Sequence, residues 1–258
     1  MNTALLEIEK VSKIFGGVHA VEDVSFNVSE HAICALIGTN GAGKSTLFNL
    51  ITNIYPCDQG DIRFRGESIR GWPPHQIARA GVMRTFQTAR IFPHLTVLDN
   101  VLAGAHVAIH ANFFQQLLAT VRSRHEERKL RDRAFQLLDV IGLAERAQDP
   151  ASILPLAEQK NLELARVLMP LPALLLLDEP AAGLIDQETV ELAQLLRGIR
   201  DSGRTILLVE HNMSMVMGIA DYVVVMDAGR VIAQGQPADV QRHPQVVEAF
   251  FGRGAGSA

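Results

Sequence analysis

The sequence predicts an α/β fold interrupted by a helical insertion, and three observations predict it. Residues 31–37 are an apolar run that ends in a glycine-rich stretch and passes into helical spacing through Leu47, Leu50 and Ile51. Two later apolar runs, 173–177 and 205–209, end in Asp178-Glu179 and Glu210-His211. Between these parts, residues 113–143 carry apolar side chains at helical spacing: Leu117, Leu118, Val121, Leu130, Ala134, Leu137, Leu138 and Ile141.

The remaining elements follow in order. Residues 5–9 alternate, and 21–28 place Val24, Phe26 and Val28 at spacing two, so both read as strands. Asp58-Gln59-Gly60 is a turn into a strand at 61–64. Trp72-Pro73-Pro74 is a loop before a short helix at 76–80. The polar residues of the insertion, including Arg122, Glu126, Arg128 and Arg133, read as a solvated helix face. Residues 187–201 read as helix, 222–226 as strand, and 227–230 as a turn into 231–233. There is no internal repeat, and 253–258 reads as a flexible tail.

Composition narrows the function. Lys+Arg is 24 against Asp+Glu 28, a formal net charge of -4 in 258 residues. That argues against a nucleic-acid partner, which would want a basic domain. With only Cys34 and Cys57, a reducing compartment fits better than a disulfide framework. No apolar run reaches the ~20 residues of a membrane-spanning helix. The first residues lack the charged start, long apolar stretch and cleavage site of a signal peptide. These features predict a soluble, intracellular chain unless a partner holds it elsewhere.

The stretch 38–46, GTNGAGKST, has the pattern G-x-x-x-x-G-K-[ST] between a predicted strand and a predicted helix. Glycines let successive backbone N–H groups turn toward phosphate oxygens, and the helix N-terminus adds partial positive charge. In that role Lys44 reaches the β- and γ-phosphates and the Ser45 hydroxyl binds Mg²⁺. The alternative is a glycine-rich turn without a ligand. Asp178 and Glu179, delivered by a buried strand, complete such a site: Asp178 holds Mg²⁺ and Glu179 is the general base for the attacking water. Alone, two adjacent acids fit a capping or surface role equally well. His211 is placed to contact the γ-phosphate and the water, or is structural. Gln87, where the first α/β part meets the insertion, is placed to report on Mg²⁺ or water, or is an ordinary loop residue.

These motifs, in this order, resemble an ATP-binding cassette of an ABC transporter over nearly the whole chain. The resemblance implies a P-loop NTPase domain over 1–252, with a helical subdomain at about 96–168 and an antiparallel β-subdomain. It implies ATP and Mg²⁺ as ligands. The nucleotide contacts would be Phe15, Gly38, Asn40, Gly41, Ala42, Gly43, Lys44, Ser45 and Thr46. Ser45, Gln87 and Asp178 would meet the metal, and Glu179, His211 and Gln87 would act in catalysis. Phe15 matches the aromatic that stacks on adenine; its alternative is a core position. Further stretches resemble the cassettes of branched-chain amino-acid importers: Phe15-Gly16-Gly17 with Ala20-Val21, Arg84-Thr85-Phe86-Gln87, Leu162-Glu163-Leu164-Ala165-Arg166, residues 179–184 and 247–252. Amide and urea importers share much of this pattern. The implied partners are a second cassette, membrane permease subunits and, indirectly, an external solute-binding protein. The implied location is the cytoplasmic face of the cell membrane.

Two departures stand out. The family signature Leu-Ser-Gly-Gly-Gln, often Leu-Pro-x-Gly-Gln in this subfamily, is Leu154-Pro155-Leu156-Ala157-Glu158 here. Pro155 offers neither N–H nor hydroxyl, a methyl at Ala157 limits close approach, and Glu158 brings an anion toward the partner's triphosphate. The nucleotide site completed by this segment is expected to be the weaker one. Ile185 also stands where the family often has aspartate, with Asp186 one residue later. The competing class is a soluble ATPase or switch acting on nucleic acid or translation. One cassette per chain, no long coiled coil and no N/T-K-x-D motif argue against it.

Overall fold

The computed structural model describes residues 3–85, 91–107 and 121–251. The chain opens with two twelve-residue strands, β1 (Ala4–Phe15) and β2 (Val18–Ser29), paired antiparallel. Gly16 and Gly17, at φ 52° and 85°, make the two-residue hairpin turn. Both strands run further than the alternating residues 5–9 and 21–28 indicate, because the glycine turn lets pairing continue to Phe15 and Val18. With β4 (Gln59–Phe64) and β5 (Glu67–Ser68) they form a four-stranded antiparallel sheet, ordered β2-β1-β4-β5.

The second sheet has six strands. Its order is β10-β9-β3-β8-β7-β6, from β3 (Ile33–Gly38), β6 (Val82–Arg84), β7 (Leu174–Asp178), β8 (Thr205–Val209), β9 (Tyr222–Asp227) and β10 (Arg230–Gly235). All pairs are parallel except β9–β10. Strands β3, β7 and β8 are buried throughout, which explains their unbroken apolar runs. Alternate side chains serve opposite faces. Cys34, Leu36, Leu176 and Val224 pack with Leu47 and Phe48 of helix α1 (Lys44–Ile51) and with the inner face of the antiparallel sheet. Ile33, Ile37, Leu177 and Leu208 pack with helix α6 (Asp186–Asp201) and helix α7 (Met213–Ile219) on the other side. Burial pushes the Cys34 thiol up to about 12.

A third apolar cluster joins α3 (Val97–Ala103), α4 (Val121–Val140) and α5 (Leu156–Leu168) through Leu98, Val101, Ala134, Leu138, Leu162 and Ala165. Of the stretch 113–143 with helical spacing, 113–120 lies outside the described residues; α4 covers 121–140, and Gly142 at φ 72° turns the chain. Short helices α2 (Pro74–Ala80), α8 (Pro237–Gln241) and α9 (Pro244–Phe251) complete the described chain.

The loop from β3 to α1 is pressed between the two sheets. A Cβ on Gly38 would lie 2.1 Å from the Met226 carbonyl oxygen of β9, and one on Gly43 2.3 Å from the Ala20 oxygen of β2. The turn after β9 adds two ties: Gly229 N–H donates to Ala42 O at 3.2 Å, and Thr39 Oγ1 donates to Asp227 at 2.8 Å. Gly41, at φ 81°, has open space where a Cβ would go. Gly38→Ala should therefore cost at least about 3 kcal/mol, because backbone must move. Gly41→Ala should cost about 1–2 kcal/mol, the left-handed backbone penalty alone. Urea unfolding of the two variants checks this; equal losses would contradict the close approach at Gly38.

Candidate nucleotide site

Lys44 opens α1 and is buried at 6% exposure, with its ammonium donating to Gly38 O at 2.9 Å and Thr39 O at 2.8 Å. Burial pushes its pKa down, and the Glu179 and Asp178 carboxylates oppose that shift. The loop thus keeps a cation at its mouth, facing two acids from the end of β7. Ala42 is buried in the loop, while Asn40, Gly41 and Ser45 are exposed and Thr46 is half-buried.

Asp178 ends β7 and is as buried as Lys44. Arg84, the last residue of β6, donates to its Oδ2 at 2.8 Å and to Asn49 Oδ1 of α1 at 2.6 Å. The Arg84 guanidinium also lies over the Phe48 ring, 5.5 Å from its centre. One arginine therefore joins the phosphate-loop helix to the acidic strand end. A buried carboxylate needs such a partner, since an unpaired charge there is costly.

Glu179 adopts left-handed backbone at φ 49°, rare for a residue with a side chain. This sharp turn swings its carboxylate off the strand axis, and its N–H still donates to Val209 O at 2.9 Å. Glu179 Oε1 lies 2.9 Å from His211 Nε2. With the carboxylate ionised, Nε2 is the donor, so the proton sits on that nitrogen. Lys44, Asp178, Glu179 and His211 are thus gathered at the strand ends beside the loop.

Phe15 is 41% exposed at the tip of the β1–β2 hairpin, so it is not a core residue. Tyr55 meets it edge to face at 5.3 Å, and the Lys13 ammonium lies 5.3 Å from its ring centre. Gln87 lies outside the described residues. In the signature segment Leu154 is buried, Pro155 caps α5 in extended conformation, and Leu156 is exposed. Leu156 and Ala157 begin α5, so the segment keeps helix N-terminal N–H groups despite the lost serine and glycines. Glu158 pairs with Arg146, which also binds Asp149. One guanidinium is thus shared between the two carboxylates. Ile185 is 64% exposed at the start of α6.

Several members of the site escape sequence reasoning. Arg84 stands out only as part of a motif, and Tyr55 not at all. Glu210 is buried at 3%, and Lys160 of α5 donates to Pro180 O at 2.9 Å. An acid directly before His211 at the end of an apolar run was the available signal for Glu210.

Comparison with known proteins gives the family. Residues 21–182 match the family described as ABC transporter, and 230–256 match that described as branched-chain amino acid ATP-binding cassette transporter. The high-affinity branched-chain amino acid transport ATP-binding protein BraF of Pseudomonas aeruginosa is 40% identical, covering 98% of this chain and 99% of its own. The LivG protein of Salmonella typhimurium, which has the same transport description, is 42% identical over the same shares. A nucleotide-free ATP-binding cassette from an ABC transporter superposes with TM-score 0.83 at 29% identity, covering 96% of this chain and 99% of that one. A cassette in its ADP conformation gives TM-score 0.84 at 28% identity, covering 97% and 99%.

Two substitutions separate binding from chemistry at this site. Lys44→Ala removes charge-assisted hydrogen bonds and should weaken ATP binding about 10–150-fold. A titration with unchanged affinity would take Lys44 out of the site. Glu179→Gln keeps an acceptor for His211 Nε2–H and should leave binding intact while hydrolysis falls about 10²–10⁴-fold. Hydrolysis near the wild-type rate would show that Glu179 is not the base.

Proposed function

The chain belongs to the ABC transporter family of ATP-binding cassettes, and from that premise we propose that it binds and hydrolyses ATP to energise an importer of branched-chain amino acids. One observation carries the solute class: similarity over 98% of the chain to proteins named for that transport, with a separate match at 230–256. In this reading loop 38–46 surrounds the phosphates and Lys44 neutralises the charge that grows on them. Glu179 orients the attacking water and accepts its proton. His211, its Nε2–H held by Glu179, meets the γ-phosphate side of the same water. Phe15 offers an exposed aromatic face to the adenine.

Mg²⁺ fits these residues. Among the described residues no cluster of three His, Cys, Asp or Glu forms a protein-only metal site. Mg²⁺ is commonly held through substrate phosphates and one or two protein groups. Arg84 occupies Asp178 Oδ2, leaving Oδ1 and the exposed Ser45 hydroxyl as the protein's contribution, with Gln87 as a further ligand. When bound, the ion would draw charge from the phosphates.

The signature segment of a cassette acts on the nucleotide of a second one, so the working unit is a dimer. It would sit at the cytoplasmic face of the membrane on permease subunits served by an external solute-binding protein. No described helix is long and apolar enough to cross a membrane. With Pro155, Leu156 and Ala157 in its signature, this chain would contribute the stronger site through its loop and the weaker through its signature.

The test is solute-stimulated hydrolysis in vesicles holding the assembled transporter. Binding protein loaded with leucine, isoleucine or valine should raise ATP turnover several-fold, and urea or short amides should not. Stimulation by urea or amides alone would move the assignment to the amide and urea importers.

A further inference from the structure

Glu210 sits in the last position before His211, yet nothing in the reaction described above uses it. Its carboxylate is buried at 3% exposure, a position that a small neutral residue would fill without loss of hydration. Oε1 accepts from Ala181 N–H at 2.6 Å. Oε2 accepts from His211 N–H at 3.0 Å and Asn212 N–H at 3.3 Å. Ala181 lies two residues after Glu179, so one carboxylate holds both the turn that carries the base and the backbone of the histidine that meets it.

Helix capping does not account for these bonds. Helix α7 is already capped by Asn212, whose side chain accepts from Met215 N–H at 3.0 Å. On the far side stands Lys160 in α5, the helix that the signature opens. Its ammonium donates to Pro180 O at 2.9 Å and lies 3.4 Å from Glu179 O. Burial pushes its pKa down, and Glu210 is first among the carboxylates that oppose the shift. The chain thus runs in one continuous set of contacts from the signature helix, through the turn 179–182, to Glu210 and the His211 backbone.

We propose that Glu210 is a positioning residue that fixes Glu179 against His211, and that Lys160 links this pair to the signature helix of the same chain. The signature would act on the nucleotide held by the partner. Its own-chain link to Glu179 gives a route by which one site sets the geometry of the other, in a chain where Ile185 replaces the usual aspartate. This inference rests on the ATPase reading.

The test uses the assembled transporter, with ATP affinity measured by titration and turnover measured separately. Glu210→Gln keeps the shape but has one acceptor oxygen, so one of the two loops faces an NH₂ group. Turnover should fall about 10–100-fold with ATP affinity within twofold of wild type. In a His211→Ala background the same change should cost at least threefold less, since the positioned partner is gone. Lys160→Met, which leaves all three Glu210 bonds in place, should lower turnover about fivefold with affinity retained; it also reads the link should Glu210→Gln fail to fold. Turnover within twofold of wild type in either folded variant, equal losses of affinity and turnover, or full additivity with His211→Ala would overturn the proposal. Wild-type hydrolysis that Lys44→Ala and Glu179→Gln suppress establishes the ATPase reading independently, so these outcomes bear on Glu210 alone.

Discussion

The loop at 38–43 touches both sheets so closely that two of its residues have no room for a side chain. Gly38 lies against the Met226 carbonyl and Gly43 against the Ala20 carbonyl. That contact fixes the antiparallel sheet against the six-stranded one at the point where α1 begins, and the apolar cluster shared by both sheets packs around it. The position of Lys44 follows directly. So does the direction of the first free N–H groups of α1, the elements a phosphate would meet.

Around this fixed point each of three acids has a distinct partner. Asp178 has Arg84, Glu179 has His211, and Glu210 has three backbone N–H groups. The partners differ, and so does the work proposed for each: Asp178 would face a cation, Glu179 would accept a proton, and Glu210 would fix backbone. The left-handed turn at Glu179 separates the first two. Strain of this kind persists where packing over-determines it, here through the Val209 carbonyl and the Lys160 ammonium. In the altered signature, Glu158 likewise has a cation beside it, the Arg146 that it shares with Asp149.

The buried strands and the phosphate loop are legible in the sequence because each has a local cause: apolar runs need burial on both faces, and the glycine pattern needs a cradle. Ends are less legible. Strand β6 is three residues long and exists because Leu174, Leu175 and Leu176 offer it a parallel partner, which no local pattern announces. Helices α7, α8 and α9 are short and draw their stability from packing on the sheet, as Val216, Ile219, Val240 and Val246 do. Of the site, Lys44, Asp178, Glu179 and His211 are readable from motif and order. The roles of Arg84 and Glu210 are not, since both depend on atoms that come from elements distant in sequence. Gln87 lies outside the described residues, and its role rests on resemblance.

Cys34 lies in the central strand β3, hydrogen-bonded between β8 and β9, and its thiol is held at about 12. Since the thiolate is the reactive form, an alkylating reagent finds almost nothing to attack in the folded chain. Cys57 is half-buried and lies outside both sheets. The two cysteines therefore keep different time: Cys57 registers local exposure, while Cys34 registers only openings that take the middle of the six-stranded sheet apart. The chain carries within its own composition a chemical clock for the opening of its core.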